Sequence, residues 1–345
     1  MIPATPIARQ LPRWQSELAN AVTDPAELLR LLGLPADPAL NAAAPQAFAL
    51  RVPRGFVRRM RRGDPLDPLL AQVLPRAAES LPQTGFVSDP LGEAAARRAP
   101  GLLHKYHGRA LLIATPACAV HCRYCFRREF PYAEHQGGEG RWTEAIAAIA
   151  ADPTIREVIL SGGDPFSLTD SRLADLSARL ATIAHVQTLR IHTRQPIVLP
   201  SRVDSGLLGW LRGLPWPVTI VVHANHPREI DDEVASALLA MRGAGALLLN
   251  QSVLLAGIND DQTVLEELSC ALQKSGVLPY YLHLLDRVRG TSHFEVSEER
   301  GRALVAGMAT RLPGYLVPRL VREQAGAAAK IVLVAGLPPA TAADM

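Results

Sequence analysis

The sequence predicts an α/β protein, an incomplete (β/α)6 barrel with a helical N-terminal region. Three observations carry this. From about residue 102 onward, six apolar strand-like runs alternate with helix-like segments. The runs are apolar almost throughout, the pattern of a parallel sheet covered by helices. Each run also ends in polar residues capable of chemistry. A barrel brings all its strand C-terminal ends to one mouth, whereas a doubly wound sheet focuses ligands at a single switch point.

The N-terminal hundred residues read as short helices. Trp14–Ala21 and Pro25–Leu32 are amphipathic within an Ala-, Leu- and Pro-rich stretch. Arg51–Arg62, with Arg58, Arg59, Arg61 and Arg62, reads as a solvated basic helix face. In Asp64–Pro75, prolines sit at loop and helix-start positions before a short apolar run. The expected strands are Ala110–Ala114, Val158–Ser161, Thr188–His192, Val218–His223, Ala246–Gln251 and Tyr280–Leu284. The expected helices are Thr143–Ala151, Ser171–Ala184, Ser205–Arg212, Asp231–Arg242, Asp261–Ser275 and Ser297–Arg311. Asp231 and Ser297, each followed by acidic residues, are N-terminal signals. The chain divides into a helical region (1–100), a barrel (101–312) and a C-terminal segment (313–345).

Composition narrows the classes of function. Among 345 residues, 36 Lys and Arg face 33 Asp and Glu, too even a balance for nucleic acid or an anionic membrane surface. No apolar run reaches the ~18–20 residues of a membrane span, and no secretory leader is evident. A soluble, cytoplasmic protein is expected. Lys occurs only at Lys105, Lys274 and Lys330, and Cys only at Cys118, Cys122, Cys125 and Cys270. Three of four cysteines within eight residues make no disulfide framework.

Cys118-x3-Cys122-x2-Cys125 follows the first strand directly. Three thiolates so spaced suit one corner of an iron–sulfur cubane with the fourth iron open. A structural zinc site would want a fourth ligand, for which His121 is the nearby candidate. Cys270, between Leu268 and Leu272, reads as a small buried hydrophobe. After the second strand, Ser161-Gly162-Gly163-Asp164 combines close backbone approach with an acid. Alone, such a tetrapeptide is a common turn.

The cysteine spacing, with Tyr124 before the last Cys, resembles the radical S-adenosylmethionine superfamily. That resemblance implies a radical-SAM barrel, a [4Fe-4S] cluster on Cys118, Cys122 and Cys125, and S-adenosyl-L-methionine beside Ser161–Asp164. From about Asp64 to Lys330 the chain further resembles the lysine 2,3-aminomutase family. The stretches that carry it are CAVHCRYCFRR (118–128), SGGD (161–164), TRQPIVLP (193–200), HANHP (223–227), NQSVLLAGIND (250–260), PYYL (279–282) and GYLVP (314–318), followed by Lys330.

The family resemblance implies pyridoxal 5′-phosphate bound to Lys330, the catalytic lysine. Only an amine can form that Schiff base, in a chain that otherwise writes Arg for nearly every cation. It places Lys105, Tyr106 and Arg109 around the pyridoxal ring and phosphate, with Tyr106 a stacking candidate. Arg127 is implied to hold the substrate α-carboxylate, with Arg123 and Arg128 supporting the loop. Asp260 and Glu323 are implied to grip the distal ammonium of L-lysine, Glu323 standing where Asp is usual. Two departures stand out. Lys330 follows the Gly-poor run Ala325–Ala329, and the chain ends at Met345, soon after it. With Glu323, the latter resembles the branch making (R)-β-lysine for elongation factor P, which implies a link to that factor and its lysyl-ligase. A radical enzyme without pyridoxal phosphate, and arginine or glutamate aminomutases, stand as alternatives. Oligomeric state is left open, a homo-oligomer included.

Overall fold

The structure is a computed structural model that describes residues 11–36, 48–132, 142–334 and 336. The remaining parts of the expected N-terminal region (1–10 and 37–47) and C-terminal segment (335 and 337–345) lie outside the described residues. Among its described residues the N-terminal part has the short helices α1 (Arg13–Ala19), α2 (Pro25–Leu32), α3 (Arg54–Arg58) and α4 (Pro68–Ala71). Pro25 and Pro68 each open a helix, where a missing N–H costs nothing. Asp24 and Asp67 accept from the first free backbone amides of those helices.

Strands β1 (Arg97–Ala99) and β2 (Leu102–Tyr106) then lead into the repeating unit. It runs β3 (Arg109–Thr115), α5 (Thr143–Ala151), β4 (Glu157–Gly162), α6 (Asp170–Ala181), β5 (Thr188–Thr193) and the one-turn α7 (Gln195–Val198). There follow α8 (Ser205–Arg212), β6 (Val218–Val222), α9 (Asp232–Gly243), β7 (Leu247–Val253), α10 (Gln262–Lys274) and β8 (Leu278–His283). Last come α11 (Glu298–Arg311), β9 (Arg319–Arg322) and β10 (Ile331–Val332). Asp204, Asp231, Asp261 and Ser297 cap α8, α9, α10 and α11 with their side chains.

All ten strands form one sheet whose spatial order is the chain order. From β3 to β9 every neighbouring pair is parallel, and antiparallel pairs occur only at the two flanks. The order never reverses, so the switch point that defines a doubly wound sheet does not arise. Among the described residues there are seven parallel strands rather than the expected six. The seventh, Arg319–Arg322, buries only Leu320 and Val321 between exposed arginines, so it gives no apolar run to read. Strands β1 and β2 escaped notice for the same reason, with Arg97, Arg98, His104 and Lys105 in eight residues.

Helices cover the outer face. One continuous core joins Ile149, Leu173, Leu180, Leu211, Leu238 and Met241 of the helices to Leu112, Val158, Leu189, Ile220 and Leu248 of the strands. Each such side chain contributes about 1.5–3 kcal/mol by leaving water. A second core holds Trp14, Leu28, Leu32, Phe56, Leu69 and Leu70 together with Ala119 and Val120, so the N-terminal helices pack on the cysteine loop itself.

Arg59 departs from the expected solvated face. Its side chain is 8% exposed, reaches the carbonyls of Glu229 and Ile197, and lies 3.6 Å from Asp231. Arg58, Arg61 and Arg62 do face solvent. A run of arginines reads as one face only if the helix is long enough to have faces, and α3 has five residues.

Asp67 ties the two parts. Fully buried, it accepts from the amides of Leu69 (2.9 Å) and Leu70 (3.0 Å), from the amide of Arg61, and from Arg228 Nη1 at 2.6 Å. Asp67→Ala would leave Arg228 Nη1 and three amides unmatched. We expect a loss of about 3 kcal/mol in unfolding free energy, read from denaturant midpoints.

Candidate functional site

The inner face of the sheet is not packed shut. It lines a cavity of about 630 Å³, with side chains contributed by β2 to β5, β7 and β8, the turns after β3, β6 and β8, and Glu323 and Lys330 on either side of the β9–β10 turn. Of the fourteen residues singled out from the sequence, thirteen line it: Lys105, Tyr106, Arg109, Cys118, Cys122, Cys125, Arg127, Ser161, Gly162, Gly163, Asp164, Glu323 and Lys330. The fourteenth, Asp260, does not.

The cysteine loop is held from outside. Its Arg123 amide donates to Gln72 O at 2.9 Å. Glu79, in the turn Ala77–Ser80, is fully enclosed and accepts from Arg123 Nε at 2.8 Å and Nη2, and from Arg128 Nη2 at 2.6 Å. Burial alone would push this carboxyl up, but the two guanidinium groups hold it below the usual range. Arg123 and Arg128 therefore clamp the loop. His121 stacks on Phe48 at 5.2 Å and bonds Ala49 O, so it is occupied with the loop's own support. All three cysteine thiols are free and reach the cavity. Burial pushes Cys118 well up and Cys125 to about 11, the neighbouring Cys122 adding to the latter. Among the described residues no three His, Cys, Asp or Glu side chains gather as for a single metal ion. A cubane asks something else, since each thiolate reaches a different iron. Cys270 sits on α10, away from the cavity.

A second buried network braces the same loop. Arg194 donates to Cys122 Sγ at 2.7 Å, to Gln72 Oε1 at 2.6 Å and to Glu229 Oε2 at 2.9 Å. Tyr124 lies 3.0 Å from His223 Nε2 and accepts from Asn225 Nδ2 at 2.7 Å.

The glycines at the tip of β4 also answer a packing constraint. A Cβ on Gly163 would lie 2.4 Å from Ala117 O, and one on Gly162 would lie 2.7 Å from Thr115 O. The chain entering the cysteine loop presses directly on these two residues, and Gly163 N bonds Thr115 O at 2.7 Å. Asp164 requires a correction. Its Oδ1 accepts from Thr193 Oγ1 and Phe166 N, and its Oδ2 from the amides of Arg194 and Gln195, at 2.7 to 3.0 Å. Four donors saturate a carboxylate. Asp164 thus joins the ends of β4 and β5 and has no lone pair spare for an ammonium group.

At the other end of the cavity three charges interlock. Glu323 accepts from Lys105 Nζ at 3.1 Å and from Lys330 Nζ. Although burial opposes it, the two lysines lower its carboxyl to about 2. Arg109 stacks over the Tyr106 ring at 4.9 Å. Asp286, after β8, shares this wall. Burial, with repulsion from Glu323, raises its carboxyl to about 7. His192 and His283 line the same space, and the Nε2 of each is buried without a hydrogen-bond partner among the described residues. Such orphaned atoms mark where a polar ligand fits.

Asp260 does not take part. Its Oδ1 accepts from the amide of Gly257 at 2.9 Å, closing its own turn before α10. The residue supplying a second carboxylate beside Glu323 is Asp286. Its signal was the polar tip of the sixth expected strand, but nothing local distinguishes it from Asp260. Arg127 is also more occupied than expected, since Glu93 takes its Nε and Nη2 at 2.8 and 2.7 Å. Glu93 and Glu79 carry no motif, and sequence reasoning missed both.

A sequential parallel sheet with cysteines, lysines and carboxylates converging on one internal cavity defines an α/β enzyme. Comparisons with known proteins give the class a family. The chain is 48% identical over 322 residues to the L-lysine 2,3-aminomutase of Escherichia coli strain K12, covering 93% of this chain and 94% of that protein. It is 34% identical over 319 residues to the L-lysine 2,3-aminomutase of Clostridium subterminale, covering 92% and 76%. The chain belongs to the L-lysine 2,3-aminomutase family and is an isomerase of the aminomutase type. No protein-family model matches the sequence. A solved radical SAM methyltransferase from Sphaerobacter thermophilus is similar at TM-score 0.45 and 19% identity, over 64% of this chain and 68% of that one.

The raised Asp286 gives a pH signature. Its carboxyl ionises near 3.8 when unfolded and about 7 when folded, so folding stability falls as pH rises across that window. We expect Asp286→Asn to raise the melting temperature at pH 8 and to change it little at pH 4, read by calorimetry.

Proposed function

We propose that this protein converts L-α-lysine to (R)-β-lysine, using a [4Fe-4S] cluster, S-adenosyl-L-methionine and pyridoxal 5′-phosphate. The observation that carries the reading is that one cavity is lined both by three free thiols and by a lysine–carboxylate cluster. About 630 Å³ is room for a cofactor and a small amino acid together. When bound, the cluster and S-adenosylmethionine would supply a hydrogen-abstracting radical, and pyridoxal phosphate the electron-delocalising ring on which nitrogen migrates.

The chain's own groups have defined tasks in this reading. Cys118, Cys122 and Cys125 hold three irons, with Arg194 donating to one sulfur. Ser161, Gly162 and Gly163 form the wall beside S-adenosylmethionine, and Asp164 fixes that wall. Lys330 anchors pyridoxal phosphate, while Lys105 and Arg109 face its phosphate and Tyr106 its ring. Arg127 receives the substrate α-carboxylate. Asp286 and Glu323, in place of the Asp260 and Glu323 pair, receive the distal ammonium. Two carboxylates there favour a cationic side chain over that of glutamate. Glu323 also holds Lys330 and Lys105, so an arriving ammonium can take over its charge as Lys330 is freed.

A division into residues 1–100, 101–312 and 313–345, the last carrying the anchoring lysine, is part of the same reading. So is an elongation factor P substrate pathway, with its lysyl-ligase as partner and a cytoplasmic setting.

The deciding experiment incubates reduced, iron-reconstituted protein with L-lysine, S-adenosylmethionine and pyridoxal phosphate, followed by chiral analysis. (R)-β-lysine is expected; zinc without sulfide in the purified protein would sink the reading. Lys330→Ala should abolish turnover and borohydride-sensitive absorption while retaining iron and sulfide. Asp286→Ala should raise the KM for lysine about 100-fold, and Asp260→Ala should leave it within about twofold.

A further inference from the structure

Arg127 lines the cavity, its guanidinium carbon 4.9 Å from the Phe126 ring centroid and 5.7 Å from that of Phe130. Five N–H donors leave a guanidinium. Nη1 donates to Ser161 Oγ at 3.0 Å and points to Gly162 O at 3.4 Å. The Nε and Nη2 edge is held in fork geometry by the buried Glu93. One Nη2 donor is left. A substrate carboxylate arriving here would make a single bond and lie against a like charge in a buried site, which is strongly unfavourable.

Glu93 has somewhere to go. Its Oε1 is 3.9 Å from Lys105 Nζ, a second cation on the same wall. The loop that carries it is fixed, because Asp89 accepts from the amides of Glu93 at 2.9 Å and Ala94 at 3.0 Å. The side chain can therefore exchange partners while its backbone stays. Gly92, next to it, has φ +62° and packs so closely on Ala325 that a Cβ would come within 3.2 Å. The Glu93 loop thus abuts the turn that leads to Lys330.

We propose that Glu93 is a displaceable surrogate for the substrate α-carboxylate. It neutralises and orients Arg127 in the free enzyme, and it yields the Nε/Nη2 edge to an amino acid by turning toward Lys105. The inference rests on the reading of Arg127 as the carboxylate site. It makes Glu93 a positioning residue that competes with the carboxylate end of the substrate and leaves the amine end alone.

The test uses iron-reconstituted, pyridoxal-phosphate-loaded protein without S-adenosylmethionine, so that binding is measured without turnover. Calorimetric titrations compare L-lysine with cadaverine, which lacks only the carboxylate, in wild type and Glu93→Gln. Removing the competing charge should tighten L-lysine by about tenfold and leave cadaverine within about twofold. In turnover assays KM for lysine should fall with kcat not raised. Weaker or unchanged L-lysine binding would mean that Glu93 is a permanent strut and overturns the proposal, as would parallel changes for both ligands. Should the Gln variant fail to fold, Glu93→Asp, whose shorter arm loosens the fork, must likewise tighten L-lysine while leaving cadaverine within about twofold. If wild type binds arginine and not lysine, the lysine reading fails. The Glu93 test then proceeds with arginine against agmatine.

Discussion

The cavity depends on pairing every buried cation with a carboxylate brought from elsewhere in the chain. Glu79 holds Arg123 and Arg128, Glu93 holds Arg127, Glu229 holds Arg194, and Glu323 holds Lys105 and Lys330. A buried pair of this kind adds little net stability compared with apolar packing, yet losing one partner costs about 3–5 kcal/mol. Their value lies in geometry. Each pair joins two strand ends, or a strand end to the N-terminal region, and fixes an open polar space that apolar side chains would otherwise fill.

That constraint explains why the N-terminal helices belong to the site although they carry none of the chemistry proposed for it. Gln72, Glu79 and Phe48 come from this region, and each touches the cysteine loop or a residue braced against it. The packing of Leu69, Leu70 and Phe56 beneath Ala119 and Val120 sets the loop's position. The same logic separates the two ends of the cavity. Around the thiols most polar groups are matched within the protein, Arg194 Nε and Gln195 Nε2 being without a partner among the described residues. Around Lys330 the matching is tight but unequal. Two lysines share Glu323, while Asp286 is left partly protonated near neutrality.

The architecture and most of the site were legible in the sequence. Apolar runs marked β3 to β8 because their outward residues are buried under helices. The spacing of Cys118, Cys122 and Cys125 and the rarity of Lys330 identified residues whose chemistry no common substitute can perform. What failed did so for identifiable reasons. β9 is short and flanked by arginines. Arg59 looked solvated because its partners, Glu229 and Asp231, are 170 residues distant or more. Asp164 looked available because its four donors come from the ends of two strands. Asp260 and Asp286 are equivalent on paper, each a carboxylate in a turn after a strand.

By itself, then, the sequence determined the alternation of strand and helix, the cysteine loop, the rarity of lysine and the membership of a family. These follow from local periodicity and from residues with unique reactivity. Tertiary structure alone decided which carboxylates face the cavity, which are spent on caps and braces, and that Arg127 is already held by Glu93. Such choices turn on where lone pairs and N–H groups meet in space, and contacts between residues 34 or 218 positions apart leave no mark on the local pattern.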